Sequence, residues 1–276
     1  MIQDIYPYNY DNRYSTNTPE YTDIVLAFKE NLILLQKLPV DKYKLPVFKQ
    51  WGDKRGLKYL FQIGEHKMYL HMDDGQKQIK EGGLSWYPFD MVFQIFPQWL
   101  QFAIITAKHL ADWYLHNRYC GYCGDFMQER KSERALYCRH CSNVVYPVIS
   151  PVVIVGVISK DKLLMTKYAQ ASFKEHGLIA GYVEIGETLE AAAIREVKEE
   201  VGLSIKNLRY FGSQPWGLTH ILIAGFFADL DGSSNIHLDR NELSKGVWLQ
   251  RNEIPKELSD ISITYEMVEA FRNQNI

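Results

Sequence analysis

The chain has 276 residues, 46% of them apolar and 23% charged, with a formal net charge of −2. That length and apolar content support two domains with room for a small third. The near-neutral balance excludes a broad nucleic-acid footprint, which needs a basic excess, but not recognition of one nucleotide or an RNA end in a pocket.

Residues 1–20 show no basic start followed by an apolar run. The most apolar-leaning stretch, FPQWLQFAIITAKHLADWY, is broken by Gln101, Lys108, His109 and Asp112, so it is too polar for a membrane span. The expectation is a cytoplasmic chain.

Residues 1–117 read as one N-terminal α+β unit. YTDIVLAFKENLILLQKLP mixes apolar and polar residues without a clean period, which suits short strands or one short helix. LKYLFQIGEHKMYLHM predicts a hairpin about Gly64, Glu65 and His66. From Pro97, apolar Leu100, Ile104, Leu110, Trp113 and Tyr114 recur at helical spacing, and proline suits a helix start. Nothing in this unit spells chemistry, and a scaffold or oligomerisation role is the expectation.

Residues 118–146 contain all four cysteines, as Cys120-x2-Cys123 and, after fourteen residues, Cys138-x2-Cys141. Two such turns on a hairpin place four thiolates around one Zn²⁺ and leave no open coordination position, so one structural ion per chain is expected. A redox dithiol or unrelated thiols are the alternatives.

Residues 147–276 begin with SPVVIVGVISKDKLLMTK, a hairpin turning at Lys160 and Asp161. A helix follows, then ILIAGFFADL as a strand and ITYEMVEAFRNQ as a closing helix, an order that indicates α/β or α+β. The first helix lies in GYVEIGETLEAAAIREVKEEVGL, which carries six glutamates in 23 residues. Thr188 is a good N-cap, Gly202 a stop, and Leu189, Ala193, Ile194, Val197 and Val201 an apolar face. Glu196 and Glu200 are i,i+4 neighbours and Glu199 adjoins both. Like charges there cost about 0.2–0.5 kcal/mol per pair, more where desolvated. Such a strip makes sense with bound divalent cations, and its oxygen ligands suit Mg²⁺ or Mn²⁺. A solvated acidic helix is the alternative.

The full spacing narrows this. Gly181, five residues, Glu187, seven residues, then REVKEEVGL from Arg195 to Leu203 resembles the Nudix box. The resemblance implies a Nudix α/β/α sandwich that hydrolyses a nucleoside diphosphate linked to another group. It implies Glu196 and Glu200 as metal ligands and Glu199 as a ligand or the group activating water. Arg195 would pair with Glu187 to hold the loop, and Ala180 would lend its carbonyl to a metal. Glu184 is a further, weaker candidate.

The four-cysteine ribbon before the box and Ser213-Gln214-Pro215-Trp216 after it resemble the NudC-type NAD(H) diphosphatases. That resemblance spans residues 118–276, and residues 1–117 more faintly. It implies cleavage of NADH or NAD⁺ to nicotinamide mononucleotide and AMP, removal of NAD caps from RNA 5′ ends, and a homodimer. Tyr146 and Tyr182 would stack on a base; Glu133, Gln214, Pro215, Trp216 and Thr264 would contact substrate; Glu242 would be a late metal ligand. Glu133 and Tyr146 would reach the partner's site.

The chain departs from the family after Trp216. Gly217, Leu218, Thr219, His220 and Ile221 stand where a Pro-Phe-Pro run is usual, so glycine is expected to loosen the loop and His220 to add a donor. That leaves ADP-ribose, a diadenosine polyphosphate or a nucleotide sugar as alternative substrates, and a nucleotide-sensing regulatory module as the alternative to an enzyme.

Overall fold

The computed structural model describes residues 1–51, 54–72, 83–169, 176–255 and 261–275. The chain divides into two compact units, one of residues 4–148 with 217–219, the other of residues 149–216 and 220–276 with the first three residues.

In the N-terminal unit, β1 (Tyr10–Asp11), β2 (Ile24–Leu26), β6 (Leu57–Ile63) and β7 (His66–His71) form a sheet in the order β1-β6-β7-β2. A second sheet joins β3 (Phe28–Lys29), β4 (Leu32–Leu38) and β5 (Lys42–Lys44), with β8 (Leu84–Pro88) paired to β4. The ambiguous stretch from Tyr21 is thus strands, and the hairpin at Gly64 forms with that glycine at φ 56. Buried Val25, Ala27, Leu34, Trp51 and Tyr69 make its core. After a short α1 (Val92–Ile95), α2 (Gln98–His116) starts behind Pro97 as its spacing indicates. The ribbon is a three-stranded sheet of β9 (Met127–Glu129), β10 (Leu136–Cys138) and β11 (Val144–Val145).

The C-terminal unit is built on β12 (Ser150–Ser159), β13 (Lys162–Tyr168), β14 (Ile179–Tyr182), β15 (Ser204–Trp216), β16 (Ile221–Asp231) and β17 (Leu243–Gln250). The sheet runs β15-β16-β12-β13-β17, and β14 pairs with β12. The β12–β16 ladder is parallel, and the other ladders are antiparallel. The near-continuous apolar run of β12 is explained by burial on both faces. Val153, Val155 and Val157 pack with α3 (Leu189–Val201), while Ile154 and Ile158 pack with α4 (Ile263–Arg272). Helices on both faces of one sheet make the α/β/α sandwich.

Both helices are capped by the residues their sequences supply. Thr188 Oγ1 accepts from Ala191 N–H at 3.1 Å, and Gly202 ends α3 at φ 70. Ser262 Oγ accepts from Tyr265 N–H at 3.1 Å. Each such cap stabilises by about 1 kcal/mol. The apolar face of α3 differs from the expected one at a single residue. Ile194 is 49% exposed, while Ala192 takes a buried place. The helix is turned so that Glu196 and Glu200 go inside with the alanines.

Candidate active site

The acidic helix is organised by Arg195. Its Nε donates to Glu187 Oε1 at 2.7 Å and its Nη2 to Glu187 Oε2 at 2.9 Å, a two-pronged pairing. Nη1 donates to Glu196 Oε1 at 2.7 Å and to Glu199 Oε2 at 2.9 Å. Nη2 also reaches the Tyr182 carbonyl at 2.9 Å, which ties the loop before the helix to the helix itself. Glu187 is held further by the N–H of Glu184 at 3.0 Å. Arg195 and that N–H lower the Glu187 carboxyl to about 2, and the carboxylates raise the Arg195 guanidinium further above its ordinary value. The loop–helix staple is therefore charged throughout the working pH range.

Gly181 is required by close approach. A Cβ there would lie 2.0 Å from the carboxyl carbon of Glu196. The Glu196 carboxylate thus lies flat against the backbone of β14, next to Ala180, which pairs with Ile154 of β12. Burial raises the Glu196 carboxyl, with Arg195 opposing.

Glu200 is the most strained charge. It is 2% exposed, and neither carboxylate oxygen has a hydrogen-bond partner among the described residues. Burial, then the charges of Glu196, Glu242, Asp239 and Glu199, push its carboxyl up to about 8. A buried carboxylate without donors demands a proton or a cation. Two orphaned oxygens in an all-oxygen neighbourhood fit a hard divalent ion. Glu199, by contrast, keeps its side chain in solvent beyond the Arg195 contact.

Two residues around this cluster were not legible in the sequence. Asp239 donates its N–H to the Glu200 carbonyl at 2.9 Å. Tyr168, at the end of β13, has its hydroxyl pushed up to about 12 by burial and by Glu200, Glu242 and Glu196. Both come from chain segments 20 or more residues from α3, so no local pattern marks them. Glu242 is adjacent, its carbonyl accepting from Ala169 N–H at 2.8 Å.

The remaining candidates gather elsewhere. Gln214, Pro215 and Trp216 lie in β15, the edge strand of the sheet, where proline is tolerated. Gln214 is 1% exposed; its amide donates to the Ile261 carbonyl at 2.9 Å and accepts from Ile263 N–H at 2.5 Å. That bridge seats the first turn of α4, where Thr264 stands. Because α4 packs on the sheet face opposite α3, Thr264 does not join the acidic cluster.

His220 holds the turn into β16 at φ 60, and its carbonyl accepts from Ser150 N–H at 2.8 Å. Gly217 is not there for looseness: a Cβ would stand 2.7 Å from the Ile105 carbonyl oxygen. In the N-terminal unit the Tyr146 hydroxyl donates to Glu133 at 3.3 Å, and Arg130 pairs with the same carboxylate at 2.7 Å.

The four cysteine sulfurs lie within 4.8 Å of one another, with Cys120 and Cys141 at 3.5 Å and Cys123 and Cys138 at 3.4 Å. A tetrahedron of thiolates around one ion has edges of about 3.8 Å. The N–H groups of Cys123 and Tyr122 point at Cys120 and hold its thiol down to about 6. Among the described residues, no other Cys, His, Asp or Glu group stands this close together. Among the carboxylates of the acidic helix, the Arg195 guanidinium bonds Glu196 and Glu199 but does not reach Glu200.

Residues 149–271 match the family model described as NUDIX domain. The chain carries a NUDIX domain. Proteins named NAD-capped RNA hydrolase NudC from Shigella dysenteriae serotype 1 (strain Sd197) and Escherichia coli (strain K12 / DH10B) are each 42% identical to it over 146 residues. That stretch is 53% of this chain and 56% of each relative, so the chain spans little more than half of their length. The crystal structure of a NUDIX hydrolase from Nitrosomonas europaea superposes with a TM-score of 0.50 at 19% identity, covering 57% of this chain and 91% of that one. At that identity the likeness shows the fold alone. No helix among the described residues is long and apolar enough to cross a membrane.

Proposed function

We propose that this chain hydrolyses the diphosphate bond of NADH or NAD⁺, yielding a nicotinamide mononucleotide and AMP, and acts on the same bond in NAD-capped RNA. The observation that carries the reading is the buried, unpartnered Glu200 carboxylate held beside Glu196 and Glu199 on a NUDIX helix. The relatives named for NAD-capped RNA hydrolysis support the substrate.

Glu196, Glu199 and Glu200 would hold the cations, Mg²⁺ or Mn²⁺, with Ala180 and Glu242 as further ligands. Bound cations neutralise the diphosphate and acidify water. Arg195 keeps the three carboxylates in register by fixing the loop through Glu187 and Tyr182. Glu199, the solvent-facing member, would take the proton of the attacking water. Tyr182, with its ring exposed, offers a face for a base. Tyr146 and Glu133 would complete the partner's site in a homodimer. Gln214, Pro215, Trp216 and Thr264 would line the substrate path, Gln214 acting through the start of α4. The four cysteines would hold one structural Zn²⁺, and their free thiols suit a reducing cytoplasm.

A second reading is favoured by the run Gly217 to Ile221, where the family's prolines are replaced. Under it the substrate is another nucleoside diphosphate, with ADP-ribose first. Product analysis on NADH, ADP-ribose and NAD-capped RNA in Mn²⁺ separates the two. AMP and nicotinamide mononucleotide formed from NADH faster than AMP from ADP-ribose support the first reading; the reverse order supports the second. Nucleotide binding without turnover would point to a sensor.

A further inference from the structure

Tyr168 has no part in the reading so far, yet the fold aims it at the acidic cluster. Side chains of β13 alternate: Leu163 and Met165 lie in the core under α4, and Leu164 in the core under α3. Two residues after Leu164, Thr166 falls on the α3 side, and Tyr168 follows across a register shift in the β13–β17 ladder. The cross-strand partner of Tyr168 is Leu243, itself in the α3 core. The N–H of Ala169 donates to the Glu242 carbonyl at 2.8 Å, fixing this strand end beside a second carboxylate.

The ring is 41% exposed, so it forms the rim of the cluster and not its floor. A phenol hydroxyl is a neutral donor throughout the working range. Around that of Tyr168 stand carboxyl groups, and a diphosphate only accepts. A neutral O–H at the rim is thus a complementary group that needs no cation to meet a phosphate oxygen.

We propose that Tyr168 is a substrate-binding residue whose hydroxyl donates a hydrogen bond to a phosphate oxygen of the dinucleotide held at the acidic helix. The proposal rests on the diphosphatase reading and adds a contact that sets affinity for the diphosphate. Because Tyr168 lies in a different strand from every residue of the box, the affinity it confers is separable from the chemistry.

The test compares wild type with Tyr168→Phe and Tyr168→Gln on NADH in Mn²⁺, measuring KM, kcat and melting temperature. Binding of NADH is followed separately by its fluorescence in a Glu199→Gln background. Loss of one phosphate hydrogen bond raises KM and the dissociation constant for Tyr168→Phe by about tenfold at near-constant kcat. Tyr168→Gln, which keeps a donor, recovers part of that loss, and melting temperatures stay level. A Tyr168→Phe variant with KM and binding within about twofold of wild type overturns the proposal. So does affinity kept by Phe and lost by Gln, since the ring and not the hydroxyl would then be the contact. A wild type that splits ADP-ribose but not NADH overturns the substrate proposed above, and the same variants on ADP-ribose then decide Tyr168. A wild type that neither splits nor binds either compound overturns both.

Discussion

Glu200 sits with both oxygens out of water and without a donor, against three other glutamates and an aspartate in electrostatic reach. The folded protein therefore binds a proton at Glu200 more tightly than the unfolded chain does, at about 8 against 4.5. Folding takes up that proton between those two values, so stability falls as pH rises through the window and the full cost is present above pH 8. A shift of this size is worth on the order of a few kcal/mol. Glu200→Gln, measured in chelator at pH 8, is thus expected to melt higher than wild type, by roughly 5 °C. The gap closes towards pH 5. Mn²⁺ raises the melting temperature of wild type but not of the variant, which has no turnover. A variant that melts lower than wild type at pH 8 would contradict this account of the buried charge.

The elements of the NUDIX domain show what can be read from local order. The acidic helix was legible at both ends, because Thr188 and Gly202 act through bonds to their own chain neighbours. The Arg195–Glu187 pairing was expected only through the resemblance to the Nudix box. The burial of Glu196 and Glu200 was less so: apolar patterning put Ile194 inside, but the site side of the helix takes carboxylates there instead. Tyr168 and Asp239 were invisible, since only the sheet and the loop before β17 bring them to α3. Gln214 shows a further limit. As part of SQPW it reads as a substrate contact, while the folded chain uses its amide to seat α4. Gln214→Leu leaves the Ile261 carbonyl and Ile263 N–H without partners and is expected to cost about 1–3 kcal/mol of stability. Denaturant unfolding checks this. An unchanged midpoint with a raised KM would assign Gln214 to substrate alone.

At the scale of the whole chain, two features suit a metal, the four-cysteine cluster and the acidic helix. The ribbon has short strands, and in the proposed reading four thiolates around one ion would supply much of its folding free energy. Elemental analysis of freshly purified protein is expected to find one zinc per chain, and Cys120→Ser is expected to be poorly soluble. Zinc-free protein with full solubility would remove that role. The central proposal concerns the acidic helix: Glu196, Glu199 and Glu200 would together hold divalent cations. Anomalous diffraction from a crystal soaked in Mn²⁺ tests it most directly. The account predicts manganese bound by Glu196, Glu199 and Glu200. Density empty of manganese there, in protein that still hydrolyses its substrate, would contradict it.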